Sequence, residues 1–145
     1  MTTALQKLQI EGFQALVFRM HDTLFATDLE QIDELVEGDH WTHPDVEVFL
    51  LDRLMPLTAS PLVYKDPHVI TIHFQGNTVA LQIDQPQDIA YIPIEAIRSF
   101  PFIVEKVRQH LWLWGISLEK KEPVLLIDCH KLAAGCLSQQ EEVWN

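Results

Sequence analysis

The sequence predicts an all-β fold, a barrel or pair of barrels carrying a few short helices. Three observations predict it. Apolar runs such as Val124-Leu125-Leu126-Ile127 are strand-length and bounded by turn residues. Several of them are joined by tight turns, which makes antiparallel neighbours. No alternation of strands with long helices, the pattern of parallel sheets with crossovers, runs along the chain.

The elements follow in order. Residues 3–13 read as a helix, with Leu5, Leu8 and Phe13 on one stripe and Gly12 as its stop. That stripe suits packing on the body of the domain or a partner helix. Ala15 to Met20 reads as a strand whose Ala15, Val17 and Arg19 face water and whose Leu16, Phe18 and Met20 face inward. His21-Asp22 turns the chain into a return strand, Thr23 to Thr27. Thr27-Asp28-Leu29-Glu30 matches a capping box, and Leu29, Ile32 and Val36 follow at helical spacing up to Gly38.

A polar loop from Gly38 to Pro44 leads to a strand at Val46–Leu51 and one turn stopped by Pro56. His68–Phe74 and Thr78–Ile83 form a hairpin around Gln75-Gly76-Asn77. Val79, Leu81 and Ile83 alternate inward. Ile89–Ile92 is a strand ended by Pro93, and Val104–His110 holds a helical turn. Leu111–Leu118 and Pro123–Ile127 pair across a charged turn. Asp128 caps a final short helix that Gly135 stops, leaving residues 136–145 as a tail. The expected organisation is one domain over 1–145: a helix at 1–13, barrels at 15–135 and the tail.

Composition narrows the function classes. The chain has 145 residues, 10 Lys+Arg and 21 Asp+Glu, for a formal charge of −11. Phosphate recognition rests on cations, so nucleic acid is excluded as the main partner, and an anionic membrane surface is disfavoured. No apolar run is long enough to span a bilayer. The N-terminal residues lack a basic start followed by an apolar block, so they are not a secretory signal. Two cysteines, Cys129 and Cys136, outside any Cys-x-x-Cys motif, fit reduced thiols in the cytosol.

Catalytic signals are sparse. His40 and His43, with Asp39 and Asp45 beside them, are the best candidates for a small metal-dependent or acid–base enzyme. Two loop histidines are read more simply as solvated residues. Cys129 and His130 are sequence neighbours and point apart on a helix, so they make no nucleophile–base pair. Gly-x-Ser-x-Gly and glycine-rich phosphate loops are absent from the sequence. Asp84 and Asp128 end strands and read as caps or turn formers. No cofactor or metal is expected.

The order of elements resembles the CheW-like domain family, the chemotaxis coupling module. Ala15 to Ala26, with Leu16-Val17-Phe18-Arg19, looks like that family's first hairpin. Val79-Ala80-Leu81-Gln82-Ile83-Asp84 is similar to its central strand, and Ile92-Pro93-Ile94-Glu95-Ala96-Ile97 to the segment after it. Gly115-Ile116 with Pro123 to Asp128 resembles the closing hairpin and capped helix. The likeness runs from Ala15 to Leu132. It implies two SH3-like barrels side by side and a scaffold without catalysis. One departure matters. Val46 to Leu54 stands for the segment that follows the family's middle strand pair, but nothing stands for the Gly-Arg-Gly part before it. The middle barrel is therefore expected to be reduced, and receptor contact through that strand does not carry over.

The partner implied is a histidine-kinase regulatory domain or another CheW-like domain. A reduced barrel leaves edges and apolar surface to be covered, which also suits a homodimer acting as a structural subunit. Phe49, Leu51, Arg53, Trp112 and Trp114 are the candidate docking residues. In a regular strand Trp112 and Trp114 share one face, as a binding hot spot or a core layer.

Overall fold

The computed structural model describes residues 11–55, 60–99, 112–118 and 121–144, with 139–144 as backbone only. The described strands are β1 (Gly12–Met20), β2 (Thr23–Asp28), β3 (Glu34–Glu37), β4 (Val48–Leu50), β5 (Pro67–Phe74), β6 (Asn77–Asp84), β7 (Pro86–Pro93), β8 (Ile97–Arg98), β9 (Leu113–Ser117) and β10 (Val124–Ile127). Helix α1 is the single turn Leu51–Leu54, and α2 is Cys129–Trp144.

Two sheets result, one of six strands ordered β7-β1-β2-β10-β9-β8 and one of four ordered β3-β5-β6-β4. Pairing is antiparallel except for β2 with β10 and β4 with β6. Neither sheet closes on itself among the described residues. This is the mostly-β class read from the sequence. The smaller sheet holds a single short strand, β4, where the resemblance led us to expect a shortened middle pair.

Tight turns explain the two main hairpins. His21 and Asp22 have φ of 52° and 60°, and Gln75 and Gly76 have 51° and 79°. Both central residues with positive φ make the two-residue turn whose twist matches that of the strands. Between β6 and β7, Gln85 also has a positive φ, of 42°. The Asp84 carboxylate, fully buried, accepts from the backbone N–H of Lys65 at 3.0 Å and of Asp66 at 2.7 Å. It ties the 60–66 loop to the sheet, a longer-range role than the local cap or turn expected of it.

The main core lies between the sheets. Leu16, Phe18, Met20 and Phe25 meet Ile70, Ile72, Leu81 and Ile83, with Leu132, Ala133 and Cys136 of α2 closing one side. Phe18 and Phe25 stack at 5.7 Å. A second cluster covers the other face of the larger sheet: Ala15, Val17, Leu24, Ala26, Ile92, Val124 and Leu126. The face of β1 expected to be wet at Ala15 and Val17 is therefore interior, at 0% and 4% exposure. The continuous apolar run of β1 was the signal, since a strand covered on both faces loses its alternation.

Three further expectations are corrected. Leu29 to Val36 is not a helix; a 3-10 turn at Leu29–Gln31 is followed by β3, which pairs with β5. Thr27 does not cap, because its buried hydroxyl shares a hydrogen bond with Cys129 Sγ at 3.0 Å. Asp28 caps instead, accepting from Glu30 N at 3.0 Å. Thr71 of β5 then accepts from Asp33 N with its carbonyl at 2.8 Å and from Glu34 N with its hydroxyl at 3.1 Å. A sheet edge in want of partners outweighs weak helical spacing.

Second, Gly12 and Phe13 already belong to β1; the rest of the expected N-terminal helix, through residue 10, lies outside the described residues, as does Val104–His110. Third, Gly135 does not stop the last helix, and residues 136–144 are not a frayed tail. Asp128 caps α2 as expected, accepting from His130 N and Lys131 N. Gly135 sits on the exposed face, where a missing side chain costs little packing, while Cys136 and Leu137 on the other side hold the helix to the core.

Candidate protein-docking surfaces

The structure divides the five candidate docking residues. Leu51 is fully buried, and Trp112 is 7% exposed inside the main core. Phe49 is half-buried in β4, against the edge of the same core. Arg53 is exposed on α1. Trp114 is 40% exposed and packs on Phe13 at a ring distance of 5.9 Å. Phe49 and Arg53 belong with the four-stranded sheet and Trp114 with the six-stranded one.

The shared face expected of the two tryptophans does not exist. Trp112 precedes β9 in a turn, where its carbonyl accepts from Asp128 N at 2.6 Å. Trp114 sits at a bulge, because Ile127 pairs with Leu113 while Leu126 pairs with Gly115. One extra residue reverses the alternation, so the side chains part.

Exposed large apolar residues outside that set are Leu35, Val63, Ile89, Tyr91, Ile94 and Leu118. Ile89 and Tyr91 lie on β7, an outermost strand among the described residues, and Ile94 lies in the turn just after it. The sequence reading missed them. Their signal was present in Ile89 and Tyr91 at alternate positions of a strand ended by Pro93, a residue found on sheet edges.

The histidines proposed as catalytic candidates are peripheral. His40 is exposed and lies 3.6 Å from Glu37, and His43 meets the Trp41 ring edge-on at 4.8 Å. Among the described residues no three His, Cys, Asp or Glu side chains converge into a set able to hold a metal ion. A chain that sequence reasoning missed runs from Asp33 Oδ2 to His73 Nε2 at 3.0 Å, and from His73 Nδ1 to Thr78 Oγ1 at 3.2 Å. It borders a hollow of about 200 Å³ that Trp41 and His43 also line. His73 is 61% and Asp33 43% exposed, so water competes for every bond and the Thr78 hydroxyl is not activated.

Burial pushes the Cys129 thiol up to about 12 and the Cys136 thiol up to about 11. Both are neutral and enclosed, the opposite of a reactive thiolate. Tyr64 is raised by burial and by donating to Asp52 at 2.7 Å, which fixes the loop before β5.

No family model and no curated protein matches the sequence. Among solved structures the chain is similar to the scaffolding protein TtCheW from Thermoanaerobacter tengcongensis. The TM-score is 0.65 at 17% identity, over 83% of this chain and 92% of that one. The fold is therefore CheW-like, as the order of sequence motifs implied. Among the described residues no helix is long and apolar enough to cross a membrane.

Proposed function

We propose that this chain is a non-catalytic adaptor of a chemotaxis-type two-component system, docking in the cytoplasm onto a histidine-kinase regulatory domain or a related CheW-like barrel. The observation that carries the reading is the superposition on a scaffolding protein across most of both chains. Its chemistry agrees. The two thiols are buried and protonated, whereas accessible apolar groups lie at the rims of both sheets. Phe49, Arg53 and Trp114 are the docking candidates that solvent reaches, while Leu51 and Trp112 would act by shaping the wall beneath them.

Calorimetric titration of the full chain with the purified regulatory domain of a chemotaxis-type histidine kinase from the same genome tests this. One-to-one binding is expected, weakened about tenfold or more by Phe49→Asp or Trp114→Asp in variants that keep the native circular dichroism. Absence of binding to every such domain overturns the adaptor. A stable dimer in that case identifies a structural homodimeric subunit instead.

A further inference from the structure

We infer that the outer edge of β7 is a strand-addition site for an extended, basic segment of a protein partner, one of whose long cationic side chains enters the hollow between Glu11 and Glu95. The inference goes beyond the adaptor reading and does not depend on it.

Backbone geometry comes first. β7 pairs with β1 on one side and, among the described residues, with no strand on the other. Ile94 N donates to Glu11 O at 2.7 Å, which marks Glu11 and Ile94 as a hydrogen-bonded pair. Such pairs alternate along an antiparallel ladder. With the observed register, Phe13–Ile92 and Ala15–Ala90 exchange bonds, while Gln14–Tyr91 and Leu16–Ile89 do not. The N–H and C=O groups of Ile89 and Tyr91 therefore point away from β1, as a template for an added strand.

Side chains supply the second observation. Ile89 and Tyr91 lie two apart, on one face of the strand, and are 56% and 46% exposed. An outward lysine or a proline is missing at these positions; Pro86 and Pro93 only bracket the strand, and its bulge falls at Gln87, before Ile89.

Charge identifies the occupant. Past Tyr91 the edge ends in a hollow of about 520 Å³ lined by Glu11, Tyr91, Pro93, Ile94 and Glu95. Two carboxylates around an aromatic ring and apolar walls suit an arginine or lysine, whose stem packs while its head pairs. Asp88 adds a third carboxylate, and residues 86–97 contain no Lys or Arg. Arg98, which follows that stretch, is turned onto the carbonyls of Glu95 and Ile97. A second copy of this chain, with a net charge of −11, would bring like charge to like.

A fluorescein-labelled peptide alternating arginine with valine, and a control alternating glutamate with valine, serve as probes, read by anisotropy against the full chain. The basic peptide is expected to bind and the acidic one not to. Amide exchange followed by NMR is expected to slow at Ile89 and Tyr91 on binding. Ile89→Pro removes an outward donor and none of the bonds to β1, so it should weaken binding about tenfold or more. Glu11→Lys with Glu95→Lys should do the same. Equal binding by both peptides, affinity unchanged in these variants, or protection confined to another strand overturns the proposal. Protection of Ile89 and Tyr91 in a dimer without peptide overturns it in favour of self-pairing. Should Ile89→Pro fail to fold, the charge-reversed variant and the wild-type exchange pattern still decide.

Discussion

β1 and β7 are neighbours in one sheet and opposite in fate. Ala15, Leu16, Val17 and Phe18 of β1 are at most 4% exposed, whereas Ile89 and Tyr91 of β7 are about half in water. The difference is topological. β1 has a strand on either side and a hydrophobic cluster over each face. Among the described residues β7 has one neighbouring strand, and of its long apolar side chains Ile92 alone is buried in the second cluster. An apolar strand thus becomes core or contact surface according to how many neighbours the fold assigns it.

Truncation breaks the comparison most directly. Phe18→Ala removes a fully buried ring stacked on Phe25, and a loss of about 3–5 kcal/mol is expected. Ile89→Ala, on the neighbouring strand, should stay within about 0.5 kcal/mol. Urea denaturation of both variants measures the contrast, and equal losses would show that β7 is covered.

Gly12, where the two strands begin their pairing, gives the next largest effect. A Cβ there would lie 2.4 Å from the Ile92 carbonyl oxygen and 2.6 Å from the Tyr91 ring. Backbone cannot yield as a side chain can, so Gly12→Ala should cost about 1–3 kcal/mol. Faster amide exchange at Phe13 and Ile92 than at Ala15 and Ala90 in that variant would place the damage at this end of the ladder.

The same contrast explains how much was legible beforehand. β10 and the β5–β6 hairpin were readable because run length and turn chemistry are local properties. Helix α2 was half readable: Asp128 announced its start, but its end depended on Cys136 and Leu137 finding the core. β3 was misread because Leu29, Ile32 and Val36 fit a helix, while the vacant edge of β5 that claimed the segment is a tertiary fact. The surroundings of the candidate docking residues were least legible. Phe49 and Leu51 are alternate residues of one run, yet one is half-buried and the other wholly so. The bulge that parts Trp112 from Trp114 arises from pairing with β10, far along the chain.

The smallest expected effect lies at the far end of β1, where Arg19 reaches across the sheet. Its guanidinium meets both oxygens of Glu122, at 2.6 and 3.3 Å, and joins β1 to the turn before β10. The hydrogen bonds from Arg19 hold the Glu122 carboxyl below the usual glutamate range. A carboxylate with a depressed folded value contributes its stability above the unfolded value and loses it as acid protonates the folded form. Glu122→Gln should therefore lower the melting temperature slightly near neutral pH, and the two melting curves should converge as the pH falls through and below the glutamate range. Partial exposure and added salt both weaken the pair, so the neutral-pH gap should narrow in high salt. A gap that persists in acid would mean that the glutamate stem, not its charge, braces this end of β1. The bracing would then be packing, of the kind that, among the described residues, β7 lacks along its outer edge.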